Sequence, residues 1–171
     1  MRRRARPQRR NLKMTDRINE LKQELNDARH YLNAVLDRVG DRWDEEVYSE
    51  GAGWTARQLL IHLMVSDRGH NNMIMAIARG ENTIPEDFDL ERFNRRSVEK
   101  RAETTVEEAR AALMQTAAER DAWLDTIDDA ALDKQGRHGS MRILSIAEIL
   151  KVVAGHDRTH ADDIARALNL S

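Results

Sequence analysis

The sequence predicts an all-α fold: a four-helix bundle with a short extra helix in the crossover between the second and third long helices. Three observations carry this. Apolar residues recur at three- and four-residue steps in four separate stretches, which is the period of a helix with one buried face. The β-branched residues are scattered instead of alternating, and only 2 prolines interrupt the chain. Charged residues make up 34% of it, which suits helices with solvated outer faces around a core drawn from the 40% apolar fraction. At 171 residues the chain is one domain, long enough for a core of its own.

The chain divides into a basic, disordered tail over residues 1–14 and a helical domain over residues 15–171. Met1 to Arg10 is arginine-rich and contains Pro7, and Met14-Thr15-Asp16 looks like a natural beginning. A basic arm for nucleic acid or anionic lipid, through Arg2, Arg3, Arg4, Arg6, Arg9 and Arg10, is the sharper reading of that tail. It is disfavoured because no aromatic residue is interleaved with the arginines.

The first helix runs from about Asp16 to Val39, with Thr15 as its cap and Gly40 as its stop. Ile18, Leu21, Leu25, Leu32, Val35, Leu36 and Val39 form its inner stripe. His30 in this helix reads as a packed or solvated residue. Asp41 to Gly53 reads as a loop. Thr55 caps the second helix, which continues to about Arg79, and Trp54 just before the cap folds back as a hydrophobic staple. His62 lies in the apolar stripe of Leu59, Leu63, Ser66 and Met73, where an imidazole without a partner is costly. His70 is about 80° further round an ideal helix, at the rim of any pocket there.

Glu81 to Asp87 reads as a linker, and a short helix follows from about Asp89 to Lys100. The third long helix starts at the capping box Thr105-Val-Glu-Glu108 and carries Val106, Ala109, Leu113, Ala117, Trp123 and Leu124 inward to about Ile127. Asp128 to Leu144 reads as a polar connection. His138 in it can swing over a nearby site, which makes it a candidate catalytic residue. The last helix is Ser145 to Leu168, opened by the capping-box pair Ser145 and Glu148. Its inner stripe is Ile146, Ile149, Leu150, Val153, Ile164 and Leu168.

His156 and His160 sit at i and i+4 on that last helix, so both side chains lie on one face, a turn apart. Bundle cores build metal sites from facing helices. His62, His156 and His160 are therefore candidate ligands, and three neutral imidazoles with one open position form a catalytic rather than a closed structural set. Zn²⁺, Ni²⁺ and Fe²⁺ all accept imidazole. A bound water would be acidified, or the open position would hold a substrate thiolate. Asp157 points about 100° away from His156 and reads as a supporting carboxylate.

These residues carry a resemblance. Gly53-Trp54-Thr55-Ala56-Arg57-Gln58-Leu59-Leu60-Ile61-His62-Leu63 resembles the tryptophan–helix–histidine segment of the DinB-like superfamily. Leu144 to Leu150 followed by His156-Asp157-Arg158-Thr159-His160 resembles its C-terminal histidine-pair helix. The resemblance spans roughly residues 16–168 and implies an up-down-down-up bundle with a metal site at His62, His156 and His160. Relatives in that family, such as the mycothiol-dependent maleylpyruvate isomerases and the bacillithiol transferases, use the metal to activate a low-molecular-weight thiol. The expectation is a divalent-metal enzyme acting on a small-molecule substrate, either a thiol-dependent S-transferase or isomerase or a hydrolase. The alternative is a non-catalytic metal-binding or stress-response interaction module. A homodimer through exposed helix faces, as in relatives, is compatible with the pattern.

Composition excludes other classes. Absence of cysteine rules out disulfides, thiolate zinc sites and a cysteine nucleophile, and is compatible with the cytoplasm. A net charge of −2 argues against nucleic acid as a partner. No apolar run approaches the roughly 18 residues of a membrane span, and no apolar segment follows the basic start as in a secretory signal.

Overall fold

The structure, a computed structural model, describes residues 16–170. The arginine-rich tail and the Thr15 cap expected from sequence lie outside the described residues. In chain order the elements are α1 (Asp16–Leu36), β1 (Glu46–Ser49), β2 (Ala52–Thr55), α2 (Ala56–Ala78), α3 (Leu90–Glu99), α4 (Val106–Leu124), α5 (Asp129–Leu132), β3 (Gln135–Arg137), β4 (Ile143–Ser145) and α6 (Ile146–Ala167). The long helices α1, α2, α4 and α6 form the bundle, and α3 is the short crossover helix.

Three of the four long helices begin at a reciprocal capping box. Thr55 Oγ1 accepts from the Gln58 amide while Gln58 returns a bond to the Thr55 amide. Thr105 with Glu108 and Ser145 with Glu148 repeat the pattern. Each box satisfies two amides that helix geometry leaves without partners.

Two apolar clusters fix the helix directions. One joins Ile18, Leu21 and Leu25 of α1 to Ile74 and Ile77 of α2, Leu124 of α4 and Ile146 to Leu150 of α6. The other joins Leu32, Val35 and Leu36 to Leu59, Leu60 and Leu63, Leu113, and Ile164. The start of α1 thus packs on the ends of α2 and α4 and on the start of α6. That is the up-down-down-up bundle. Because α2 and α4 run the same way, the chain must return along the bundle between them, and α3 lies on that return path.

Between the clusters lies a buried ionic layer. Arg29 of α1 donates to Asp157 of α6 at 2.7 Å and to Asp67 of α2 at 3.0 Å. Arg120 of α4 donates to the other oxygen of Asp67 at 2.6 Å and to Asn71 at 3.0 Å. One network therefore touches all four long helices. Burial works against the Arg29 charge, but the Asp67 and Asp157 carboxylates outweigh it and raise its pKa.

Several sequence expectations are corrected. The first helix ends at Leu36, not Val39: the chain tightens into i→i+3 turns (Arg38 to Val35, Val39 to Leu36) before Gly40 takes φ +63°. The expected loop over 41–53 contains the antiparallel hairpin β1–β2, closed by Glu50 and Gly51, both at positive φ. The expected polar connection over 128–144 contains α5 and a second hairpin, β3–β4. Two-residue turns of the first kind suit the strand twist but usually announce themselves as Asn-Gly or Asp-Gly. The α4 stripe also buries Thr116 and Arg120 where only apolar positions were expected, because the ionic layer crosses the helix there.

Candidate metal centre

His62 reaches the bundle interior from the second turn of α2, positioned by the Thr55 cap just upstream. The Trp54 ring does fold back as expected, and lies nearly parallel to the His62 ring at a centroid distance of 5.9 Å. His156 and His160 come from the middle of α6, one turn apart. Their Nε2 atoms are 2.7 Å apart, and His156 Nε2 is 3.1 Å from His62 Nε2. The structure thus brings together the three histidines singled out in the sequence. Two imidazoles bound about 2.0–2.1 Å from one tetrahedral cation stand roughly 3.3–3.4 Å apart, so these nitrogens lie a few tenths of an ångström inside ligand spacing.

The proton inventory fits a cation. Ser49 Oγ donates to Asp163 at 2.5 Å, so the bond of 2.8 Å between Ser49 Oγ and His160 Nδ1 must be donated by the histidine. Neutral His160 therefore keeps its Nε2 lone pair free and aimed at the other two rings. A hydrogen bond on the remote nitrogen that fixes tautomer and ring orientation is how metal-bound histidines are held.

Glu50 completes the cluster. Its carboxylate oxygens lie 3.7 Å from His62 Nε2, 3.8 Å from His156 Nε2 and 3.7 Å from His160 Nε2. Glu50, His62, His156 and His160 together could hold a metal ion. Sequence reasoning missed Glu50, Ser49 and Asp163. The signal available was Glu50-Gly51 between two short runs, which reads as a hairpin only once its ends are known to pair. Glu50 takes φ +50°, an uncommon state for a side-chain-bearing residue, at the tip nearest the histidines.

Burial sets the charge states. It lowers the His62 pKa to about 4. Burial and then the His62 charge lower His160 to about 3. His156 is held well below the ordinary value by burial, with His160 and His62 adding to it. Glu50 is shifted upward, first by burial and then by Asp163. A stability prediction follows for metal-stripped protein. The unfolded chain protonates His62 and His160 near pH 6.5, whereas the fold keeps them neutral to about pH 4 and 3. Stability is therefore expected to fall as pH drops from about 6.5 towards 4, by about 1.4 kcal/mol per pH unit for each of the two imidazoles. Urea midpoints at pH 7.5 and 5 measure it. A slope unchanged in His160→Gln would contradict this origin.

The other expected site residues fall nearby. Asp157 faces Arg29 and the ionic layer, away from the imidazole cluster. His138, 8% exposed, sits in the β3–β4 turn and pairs with His70 at 3.0 Å between Nε2 atoms. His30 is exposed on α1. A cavity of about 420 Å³ opens beside the cluster. Glu50, His62, His156, His70 and His138 reach it, between apolar walls that include Val65, Met73, Phe88, Phe93 and Val152. A second, more polar opening of about 280 Å³ lies on the other side of Glu50 and His62, beside Trp54, Gln58, Asn94 and Arg95.

The sequence model of the DinB superfamily matches residues 24–164. The chain belongs to the DinB superfamily. Among solved structures this DinB-superfamily chain is similar to YfiT from Bacillus subtilis, described as "a probable metal-dependent hydrolase with an unusual four-helix bundle topology". The TM-score is 0.72 at 20% identity, over 90% of this chain and 89% of that one. It is similar to a mycothiol-dependent maleylpyruvate isomerase, with a TM-score of 0.73 at 16% identity, over 86% of this chain but only 60% of the isomerase. An uncharacterized protein from Clostridium difficile 630 matches with a TM-score of 0.68 at 14% identity, over 91% and 98% of the two chains. No curated protein matches. At these identities the likeness establishes the shared bundle. No helix among the described residues is long and apolar enough to cross a membrane.

Proposed function

We propose that this chain is a divalent-metal-dependent hydrolase of small, largely apolar substrates, with His62, His156 and His160 as metal ligands. The observation that carries the reading is the convergence of three Nε2 atoms and the Glu50 carboxylate beside an open apolar cavity. Zn²⁺, Ni²⁺ or Fe²⁺ would suit the donors, since each accepts imidazole. A cation held by His62, His156 and His160 would supply Lewis acidity and a bound water acidified towards neutral pH. Glu50 stands where it can accept the proton of an attacking water and hand it to a leaving group. Ser49 and Asp163 hold His160 in the ligating tautomer. The apolar walls lower the polarity around the cluster, which strengthens electrostatic interactions there.

A second reading is thiol transfer, with a low-molecular-weight thiol as co-substrate. The polar opening beside Trp54, Gln58, Asn94 and Arg95 favours it, because it gives a polar thiol its own approach to the cluster. Similarity to the mycothiol-dependent isomerase supports the same reading.

The test is metal-reconstituted protein assayed on chromogenic anilides and esters with small apolar acyl groups. Metal-dependent turnover is expected, and Glu50→Gln is expected to lose about 10²–10⁴-fold of it, the usual worth of a positioned acid or base. Turnover untouched by Glu50→Gln would remove the carboxylate from the mechanism. Turnover appearing only with added thiol would favour the second reading.

A further inference from the structure

The His70–His138 pair lies outside the metal cluster but lines the same cavity. Its two Nε2 atoms are 3.0 Å apart, and the rings stack at 5.2 Å with 13° between planes. That separation resembles the one between His62 and His156, so the pair looks like half of a second metal site. The protons say otherwise. The backbone amide of Ser140 donates to His138 Nδ1 at 3.1 Å. An amide can only donate, so Nδ1 carries a lone pair and neutral His138 carries its proton on Nε2. That proton points at His70 Nε2, which must accept it. His138 Nε2 is therefore no metal ligand. His70 is held from its other side by a hydrogen bond to the main chain of Ser66, one turn earlier.

The same accounting fixes the direction of the remaining contact. Ser140 Oγ lies 2.9 Å from His138 Nδ1. Nδ1 has no proton to give, so the hydroxyl donates, sharing the one Nδ1 lone pair with the Ser140 amide. The chain runs Ser140 Oγ–H to His138 Nδ1, then His138 Nε2–H to His70 Nε2. This is the order of an activated nucleophile: a hydroxyl on a base, and the base oriented by a third group. Burial, followed by the nearby Arg142 charge, lowers the His138 pKa and so keeps the ring neutral and able to accept a proton at neutral pH. Ser140 is exposed, so its oxygen is reachable from the cavity mouth.

We propose that Ser140 is a nucleophile for acyl transfer, with His138 as its base and His70 as the residue that positions His138. The substrate class is an ester, or another activated acyl compound, with a small apolar acyl group that fits against Met73, Phe88, Phe93 and Val152. Ser140 Oγ bonds to the carbonyl carbon as its proton passes to His138 Nδ1. The bond to the leaving alkoxide breaks, and the alkoxide takes that proton from Nδ1. Water then attacks the acyl-serine, giving a proton to Nδ1. The carbon–Oγ bond breaks, Oγ recovers the proton, and the carboxylic acid leaves. No metal enters either half.

The probe is phenylmethylsulfonyl fluoride on the full chain after metal stripping, read by intact-protein mass and peptide mapping. Serine attack forms the Oγ–sulfonyl bond and releases fluoride. One sulfonyl group per chain on Ser140 is expected, absent in Ser140→Ala, and formed about 10²-fold or more slowly in His138→Gln, as for loss of a general base. His70→Phe, which removes the acceptor, is expected to slow labelling and change its pH profile. His70→Asn, whose amide oxygen can accept from Nε2–H, should restore part of the rate. A circular dichroism spectrum matching the parent keeps each variant interpretable. No adduct, an adduct on another residue, or an unchanged rate in His138→Gln overturns the proposal. Labelling is scored without metal, so it succeeds or fails independently of the metal-dependent hydrolysis above.

Discussion

His156→Ala is expected to empty the metal centre. His156 Nε2 is the shared neighbour of the other two ligating nitrogens, at 2.7 Å from His160 and 3.1 Å from His62. Removing it leaves only the His62 and His160 imidazoles to hold the cation. Loss of a mere supporting partner around a metal ligand costs about 10–100-fold in affinity, so loss of a central ligand should cost more. Untagged parent protein should carry about one Zn, Ni or Fe per chain by elemental mass spectrometry, and the variant about a tenth of that or less. Full occupancy in the variant would exclude His156 from the ligand set. Ser49→Ala gives an intermediate case, because it frees His160 Nδ1 without touching a ligand. Metal bound stoichiometrically, with no metal-dependent turnover on any probe, would favour the non-catalytic binding module.

The second large effect is on stability. Asp67→Ala is expected to destabilise the fold by about 3–5 kcal/mol, because it leaves the buried Arg120 with Asn71 but no carboxylate and Arg29 with Asp157 as its one carboxylate. Asp67 is 4% exposed and bonds both Arg29 and Arg120, which are 9% and 3% exposed. For a domain of this size that loss corresponds to a fall in Tm of roughly 6–20 °C, at 2–4 °C per kcal/mol. It is a large part of the roughly 5–15 kcal/mol that holds a domain together. Urea and thermal unfolding measure it, and a loss below about 1 kcal/mol would mean that water or a rearranged partner rescues the arginines. Replacing Arg29, Asp67, Arg120 and Asp157 together by apolar residues of similar volume is expected to be neutral or stabilising, since no buried charge is then left unpaired. The contrast separates the cost of breaking the network from its net contribution.

Position along the chain explains what was legible before any coordinates. The four long helices are written locally, in stripes such as Leu59 and Leu63 and in the boxes at Thr105 and Ser145, because a helix closes its hydrogen bonds within four residues. The i,i+4 pair His156 and His160 is local for the same reason. His62 is legible beside them through its apolar surroundings, which an unpartnered imidazole avoids, and through the resemblance to DinB-like segments. The sequence by itself therefore determined the helical class, the helix starts and three of the four residues in the cluster.

Tertiary structure decided the rest, because those features are pairings between distant residues. Glu50 reaches the histidines only when β1 pairs with β2 and the turn adopts positive φ at Glu50 and Gly51. Ser49 on β1 meets His160 and Asp163, both on α6, across 111 and 114 residues of chain. The ionic layer needs four helices side by side before Arg29, on α1, can find Asp67 and Asp157. His138 looked like a loop residue that could swing over a site. Only the β3–β4 turn, packed against α2, places it between Ser140 and His70. Periodicity reports which face of one element is buried; it carries no information about what stands opposite that face, and the chemistry of this cavity is built from what stands opposite.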